Sequence, residues 1–148
     1  MRRVAIVLGL ALPLAAVDLV WKSVATTPYW AYHTRSIGWL ALSLALFLGA
    51  LTVARVPSAI APLAAGIMAG GVLGNAVSAV GNGLRVPDPI IAYTSNTIIA
   101  FNPADVFITV GTLTLTAALG IALIRHRHLL PTRQQAAARC ARALHRRP

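Results

Sequence analysis

Four apolar runs separated by short polar breaks organise this chain. The first extends from Val4 to about Trp21 behind Arg2 and Arg3, the second from Ile37 to Val53, and the third from Ala59 to about Val80. The fourth starts at Asn102 and continues to Ile124, where Arg125, His126, Arg127 and His128 close it. A helix needs about 20 predominantly apolar residues to cross the hydrocarbon core of a bilayer, so the second run crosses only with help from its flanks, where Trp39 and Arg55 suit the two interfaces. Pro13 inside the first run predicts a tolerated kink. That run superficially resembles a signal sequence, but no convincing small-x-small cleavage site follows it, and Asp18 and Lys22 close it as an i, i+4 pair.

The polar breaks carry their own signals. Lys22 to Ser36 reads as a polar and aromatic loop, with Tyr29, Trp30 and Tyr32 suited to an interfacial belt. Ile90 to Ala100 mixes β-branched residues with Thr, Ser and Asn, the composition of an interfacial loop or a short hairpin. In the third run Gly66, Gly70, Gly74 and Ser78 recur every four residues, forming one stripe of small side chains that lets another helix approach closely. Asn75 is the one amide of that run and requires a partner. Asn102 is a natural N-cap for the fourth run, Pro103 fits the first helical turn, and Asp105 at N3 complements the helix dipole. The pattern therefore predicts an all-α membrane protein with four transmembrane helices and a small extracytoplasmic loop or β-like region. Residues 1–128 form the helical domain, and 129–148 a basic, Ala-rich cytoplasmic tail suited to anionic lipid.

Composition agrees: 57% of the 148 residues are hydrophobic, and the mean hydropathy is +0.74. Thirteen Lys and Arg face three Asp and no Glu. In a soluble chain this excess would suggest nucleic acid, but here the basic residues flank apolar runs, where they set orientation. Four spans put both termini on one side, which holds ten of the basic residues; Lys22, Arg35 and Arg85 lie on the other. The positive-inside rule then makes the termini cytoplasmic and brings Asp18, Asp88 and Asp105 near the outer face. Cys140, the single cysteine, excludes an internal disulfide and a Cys-based metal cluster. His126, His128 and His145 fall on the cytoplasmic side, and His33 by itself makes no metal site, so neither metal nor cofactor is expected.

The candidate chemistry lies in the acids. Asp88 sits between Pro87 and Pro89, which restrict the backbone to extended forms, and Asp105 follows seventeen residues later at the head of the fourth helix. If the intervening segment doubles back, the two carboxylates meet. Like charges in a low-dielectric setting do not both stay ionised, so one keeps a proton while the other serves as a base toward water. Each acid also has a plainer reading: Asp105 as an N3 capping residue, Asp88 as a turn residue, and Asp18 with Lys22 as a neutralised pair at a helix end.

At these residues the chain resembles lipoprotein signal peptidase, the signal peptidase II family. Phe101, Asn102, Pro103, Ala104 and Asp105 match its F-N-x-A-D motif, continuing into a helix with Ile108 and Gly111. Gly70, Gly71, Gly74 and Asn75 match G-G-x-x-G-N, Val86 to Ile90 correspond to the V-V-D-F-I segment, and Asp18 and Lys22 match D-x-x-x-K. The chain departs from x-x-D-R after the G-N with Ala76, Val77, Ser78 and Ala79, from R-N-x-G with Arg35, Ser36, Ile37 and Gly38, and around Asp88 with its two prolines.

The resemblance implies an aspartyl endopeptidase of the bacterial cytoplasmic membrane that cleaves signal peptides of prolipoproteins bearing a diacylglyceryl-modified cysteine. It implies Asp88 and Asp105 as the dyad, supported by Asn75, Asn102 and Ala104, with Asp18, Lys22, Arg35, Ser36 and Gly38 in the substrate region. It needs no cofactor or metal, and its partners are the prolipoprotein and membrane lipid. The apolar segment of the substrate would pack on the small-residue stripe of the third helix. Two alternatives remain open: a homologue that binds lipoprotein or lipid without cleaving, motivated by Ser36 and Ser78, and a small transporter subunit with Asp18 and Lys22 in an ion path.

Overall fold

The computed structural model describes residues 2–53 and 55–127. The expected tail, with Cys140 and His145, and His128 before it lie outside the described residues. Four helices appear in the expected order: α1 (Arg2–Val24), α2 (Ile37–Val53), α3 (Ala61–Gly81) and α4 (Pro103–Arg125). Three of them are long and apolar enough to span a bilayer. At 17 residues, α2 is about 26 Å long, short of the roughly 30 Å hydrocarbon core, as its sequence implies.

The bundle is built around α3, which packs on α1, α2 and α4. Its core consists mainly of small side chains, among them Ala11, Ala61, Ala64, Ala65, Ala69 and Ala118, with Val7, Met68, Val72 and Leu115 filling the gaps. Large apolar side chains point outward instead: Leu12 and Val20 on α1, Leu42, Leu44 and Leu48 on α2, Leu113 and Leu123 on α4. In lipid an outward Leu loses nothing, so close backbone approach, and not burial of bulk, holds the helices together.

The four-residue stripe is the clearest case. A Cβ added at Gly66 would lie 2.9 Å from Leu10 Cβ, at Gly70 2.8 Å from Leu14 Cβ, and at Gly74 2.6 Å from Asp18 Oδ2. The stripe therefore seats α1 along positions 10, 14 and 18. This corrects one expectation: the stripe is occupied by α1 and is not a surface against which a substrate helix can pack. On the other side of α3, a Cβ at Gly71 would collide with the carbonyl oxygen of Ala104, and one at Gly111 of α4 with the Met68 backbone. Gly111→Val is expected to destabilise the fold by about 1–3 kcal/mol. Gly9→Ala and Gly120→Ala, where nothing lies within 4 Å, should be close to neutral. Thermal unfolding in detergent distinguishes the two classes, and equal melting of all three variants would remove this account of the packing.

Small β elements lie between the helices. After a 3₁₀ turn at Tyr29–Ala31, β1 (Tyr32–Thr34) pairs antiparallel with β2 (Arg85–Pro87), with His33 opposite Val86. The Lys22–Ser36 segment, expected as a loop, thus contains a strand. Its three residues carry too short an alternation to be recognised without their partner. β3 (Ile90–Tyr93) and β4 (Ile98–Phe101) form a hairpin, where a loop or a short hairpin was expected, closed by bonds between Thr94 and Thr97. Between α3 and β2 the chain turns through two left-handed residues, Gly83 (φ 61°) and Leu84 (φ 66°). The Leu84 N–H reaches back to Ala79 O at 2.7 Å, and its carbonyl accepts from Arg35 N at 2.7 Å. This turn ends α3 and aims β2 at β1.

Candidate active site

The hairpin brings the acids together. Because Ile90 pairs with Phe101, the residue two before β3 and the residue just after β4 become neighbours: Asp88 and Asn102. Asn102 then heads α4 in a reciprocal capping box. Its Oδ1 accepts from Asp105 N at 3.1 Å, and its own N–H donates to Asp105 Oδ2 at 3.1 Å. Its Nδ2 donates to Asp88 Oδ1. One asparagine, itself fully buried, is bonded to both carboxylates.

A second set of bonds reaches the site from α1 and α3. Asn75 Nδ2 donates to Asp105 Oδ1 at 2.9 Å, and Asn75 Oδ1 accepts from Lys22 Nζ at 2.6 Å. Lys22 also pairs with Asp18 Oδ2 at 2.6 Å, while Asp18 Oδ1 accepts from the Ala104 N–H at 2.9 Å. Asp18, Lys22, Asn75, Asp105, Asn102 and Asp88 thus form one connected chain of hydrogen bonds across three helices and the loop after β2. Asp18, Asn75, Asp88 and Asn102 are all essentially excluded from solvent. Each such group requires a partner in low dielectric, and the network supplies one in turn.

The acids differ in surroundings. Asp88 is 2% exposed, and its N–H is tied to Ala31 O at 3.0 Å. Its burial raises its carboxyl above the ordinary carboxylate range, the bond from His33 pulls it part of the way back, and the nearby charge of Asp105 pushes it up again. Asp105 is only partly buried and lines a recess of about 240 Å³ whose other walls are Phe101, Val106, Thr109 and Val110. A separate recess of about 320 Å³ lies beside Lys22, Ser78, Asn82 and Tyr32. A larger recess, about 680 Å³, lies at the opposite end of α1 among Arg2, Arg3 and Arg55, away from all three acids. At that end Arg3 donates to Val56 O.

The remaining candidates are distributed differently from the expectation. Ala104 engages Asp18 through its backbone and neither acid of the pair. Asp18 and Lys22 are buried inside the bundle, with side chains 0% and 4% exposed, and Lys22 reaches toward the pair through Asn75. Arg35, Ser36 and Gly38 sit at the head of α2: Ser36 Oγ accepts from Trp39 N at 3.1 Å, and the Arg35 guanidinium lies 5.0 Å from the Trp39 ring centroid. The Arg35 Nε is buried without a hydrogen-bond partner among the described residues. Ser78 bonds Asn82 through its carbonyl, at the end of the stripe.

A family model described as signal peptidase (SPase) II, Peptidase_A8, matches residues 19–121, well over half of the chain and inclusive of both acids. The chain belongs to the signal peptidase II family. It is a bacterial membrane protein of an aspartic protease family that acts on lipoprotein signal peptides. Among solved structures it is similar to a bacterial membrane enzyme determined by the in meso method at 2.3 Å resolution. The TM-score is 0.61 at 17% identity, over 82% of this chain and 88% of that one, a likeness of fold. Among curated proteins, none matches the chain.

One contact of this signal peptidase II family member was not anticipated. His33 on β1 places Nδ1 against Asp88 Oδ2, the oxygen that Asn102 leaves open. The sequence offers His33 as a lone histidine in an aromatic loop. Only the β1–β2 register brings it to the acid, 55 positions away in the chain. Among the described residues no cluster of three or more metal-ligating side chains is found.

Proposed function

We propose that this chain is an aspartyl endopeptidase that cleaves the signal peptide from diacylglyceryl-modified prolipoproteins at the outer face of the bacterial cytoplasmic membrane, with Asp88 and Asp105 as its catalytic pair and its termini cytoplasmic. The observation that carries this reading is Asn102, which bonds one oxygen of each carboxylate and so ties the two acids to a single residue. The basic cluster at Arg2, Arg3 and Arg55, at the end of the bundle remote from the acids, supports the orientation.

In this reading Asp105 is the base. Both its oxygens accept N–H bonds, the arrangement suited to a carboxylate, and it faces the open recess. Asp88, buried, carries the proton. Asp105 takes a proton from water as the water oxygen bonds to the scissile carbonyl carbon, and Asp88 gives its proton to the carbonyl oxygen, leaving a neutral gem-diol. Asp105 then delivers its proton to the amide nitrogen as the C–N bond breaks. Asp88 recovers a proton from one hydroxyl, and the products are a carboxylic acid and an amine. Lipid chains and signal peptide held in the bilayer would position the scissile bond beside the pair.

Expression in bacteria lacking their own signal peptidase II tests this. A lipid-modified precursor should convert to the shorter mature form, while a precursor whose acceptor cysteine is replaced by serine should not. If no conversion occurs although the protein is present in the membrane, the non-cleaving alternative replaces the peptidase.

A further inference from the structure

We propose that His33 is a positioning residue of the Asp88–Asp105 pair: it holds Oδ2 of Asp88 and provides the path by which that buried carboxyl exchanges its proton with water. This deepens the peptidase reading and rests on it for its catalytic use.

Geometry carries the proposal. Asp88 is almost wholly enclosed, with Oδ1 taken by the Asn102 amide, which only donates there. Oδ2 faces His33, a neighbour able to change roles, since a neutral imidazole nitrogen either accepts or donates according to its tautomer. When Asp88 is protonated, its Oδ2–H donates to Nδ1 and the ring carries its hydrogen on Nε2. When Asp88 is ionised, Nδ1–H donates to Oδ2. Passing between these states breaks the Oδ2–H bond, forms Nδ1–H, and releases the Nε2 proton to water; the reverse reloads the acid. No proton is gained or lost beyond the one exchanged. The His33 side chain is 51% exposed against 2% for Asp88, so the ring spans the boundary between the site and the outside. β1 holds it there through its pairing to β2, and the Asp88 N–H bond to Ala31 O anchors the same two segments.

The charged groups around the couple are Asp105 from α4 and Lys22 with its partner Asp18 from α1, which act on Asp88 or on one another. On β2, Arg85 lies over the rings of Tyr29 and Tyr32, at 4.8 and 5.2 Å. Asp105 favours the protonated form of Asp88 and the bond from His33 favours the ionised form. Removing His33 leaves burial less opposed, so Asp88 keeps its proton to higher pH.

The test compares the full-length parent, His33→Phe and His33→Asn in detergent with a diacylglyceryl-modified precursor peptide, measuring kcat and KM across pH. The alkaline limb of kcat/KM, which reports loss of the acid's proton in the free enzyme, should move upward in His33→Phe, with kcat about tenfold lower and KM little changed. His33→Asn, whose amide reaches the position of Nδ1, should keep its limb close to the parent's. Unchanged profiles and kcat in both variants would overturn the proposal. A second measurement does not need turnover: with ¹⁵N-histidine labelling, the His33 Nδ1 resonance should titrate differently in the parent and in Asp88→Asn. Identical titration overturns the proposal. Coupled titration in a chain that cleaves nothing removes the catalytic use and the peptidase reading together, leaving the proton-sharing couple.

Discussion

Asp88→Asn and Asp105→Asn should each lower the rate of precursor cleavage by at least roughly 10²–10⁴-fold, the usual loss when a general acid or base is removed, with each variant still accumulating in the membrane. The two substitutions act at different steps. Asn at 105 still accepts one of the N–H bonds there but takes no proton from water. Asn at 88 still bonds Asn102 and His33 but has no proton to give the carbonyl oxygen. The double variant should be no slower than either single one, because both acids serve a single reaction cycle. Quantitative immunoblotting of precursor and mature forms, normalised to the amount of protein in the membrane, measures this. Cleavage at parental rate by either single variant would exclude that acid from the chemistry, and the plainer reading of Asp105 as a capping residue would then suffice.

Lys22→Met should cost about 3–5 kcal/mol of stability, because it removes one partner of an enclosed ion pair and leaves the Asp18 carboxyl, among the described residues, with the Ala104 N–H alone. It also strips Asn75 of the donor at its oxygen, loosening the amide that holds Asp105. In a domain of this size that corresponds to a fall of roughly 10 °C or more in the melting temperature. Pairing it with Asp18→Asn removes the uncompensated charge while keeping an acceptor for Ala104, so the double variant should melt much closer to the parent. The cycle is followed by heating each protein in detergent and scoring the remaining monodisperse fraction. If Lys22→Met melts with the parent, the ion pair contributes nothing and the network does not reach the candidate site in any energetic sense.

The departures from the family pattern acquire a physical setting here. Ser78, which stands where the family carries an acid, ends a stripe already filled by α1, and its carbonyl is used by Asn82. Ser36 caps the first turn of α2. Neither is bonded to the acids, so both losses fall outside the hydrogen bonds that connect Asp88 and Asp105.

What the amino-acid order determines unaided is whatever depends on neighbours in the chain. Apolar run lengths set the four helices. Asn102, Pro103 and Asp105 set the start of α4, because a cap is a matter of three residues and their own backbone. The β-branched stretch between the acids marks an interfacial loop or short hairpin, and the spacing of Gly66, Gly70 and Gly74 announces a close helix contact. Which helix fills that stripe, the route from Lys22 through Asn75 to Asp105, and the approach of His33 to Asp88 are decided only by the tertiary structure. Each joins residues separated by 30 or more positions, and no local preference encodes such a meeting. Short strands with almost no periodicity and buried side chains that pair across helices become legible only once the backbone has closed the distance between them.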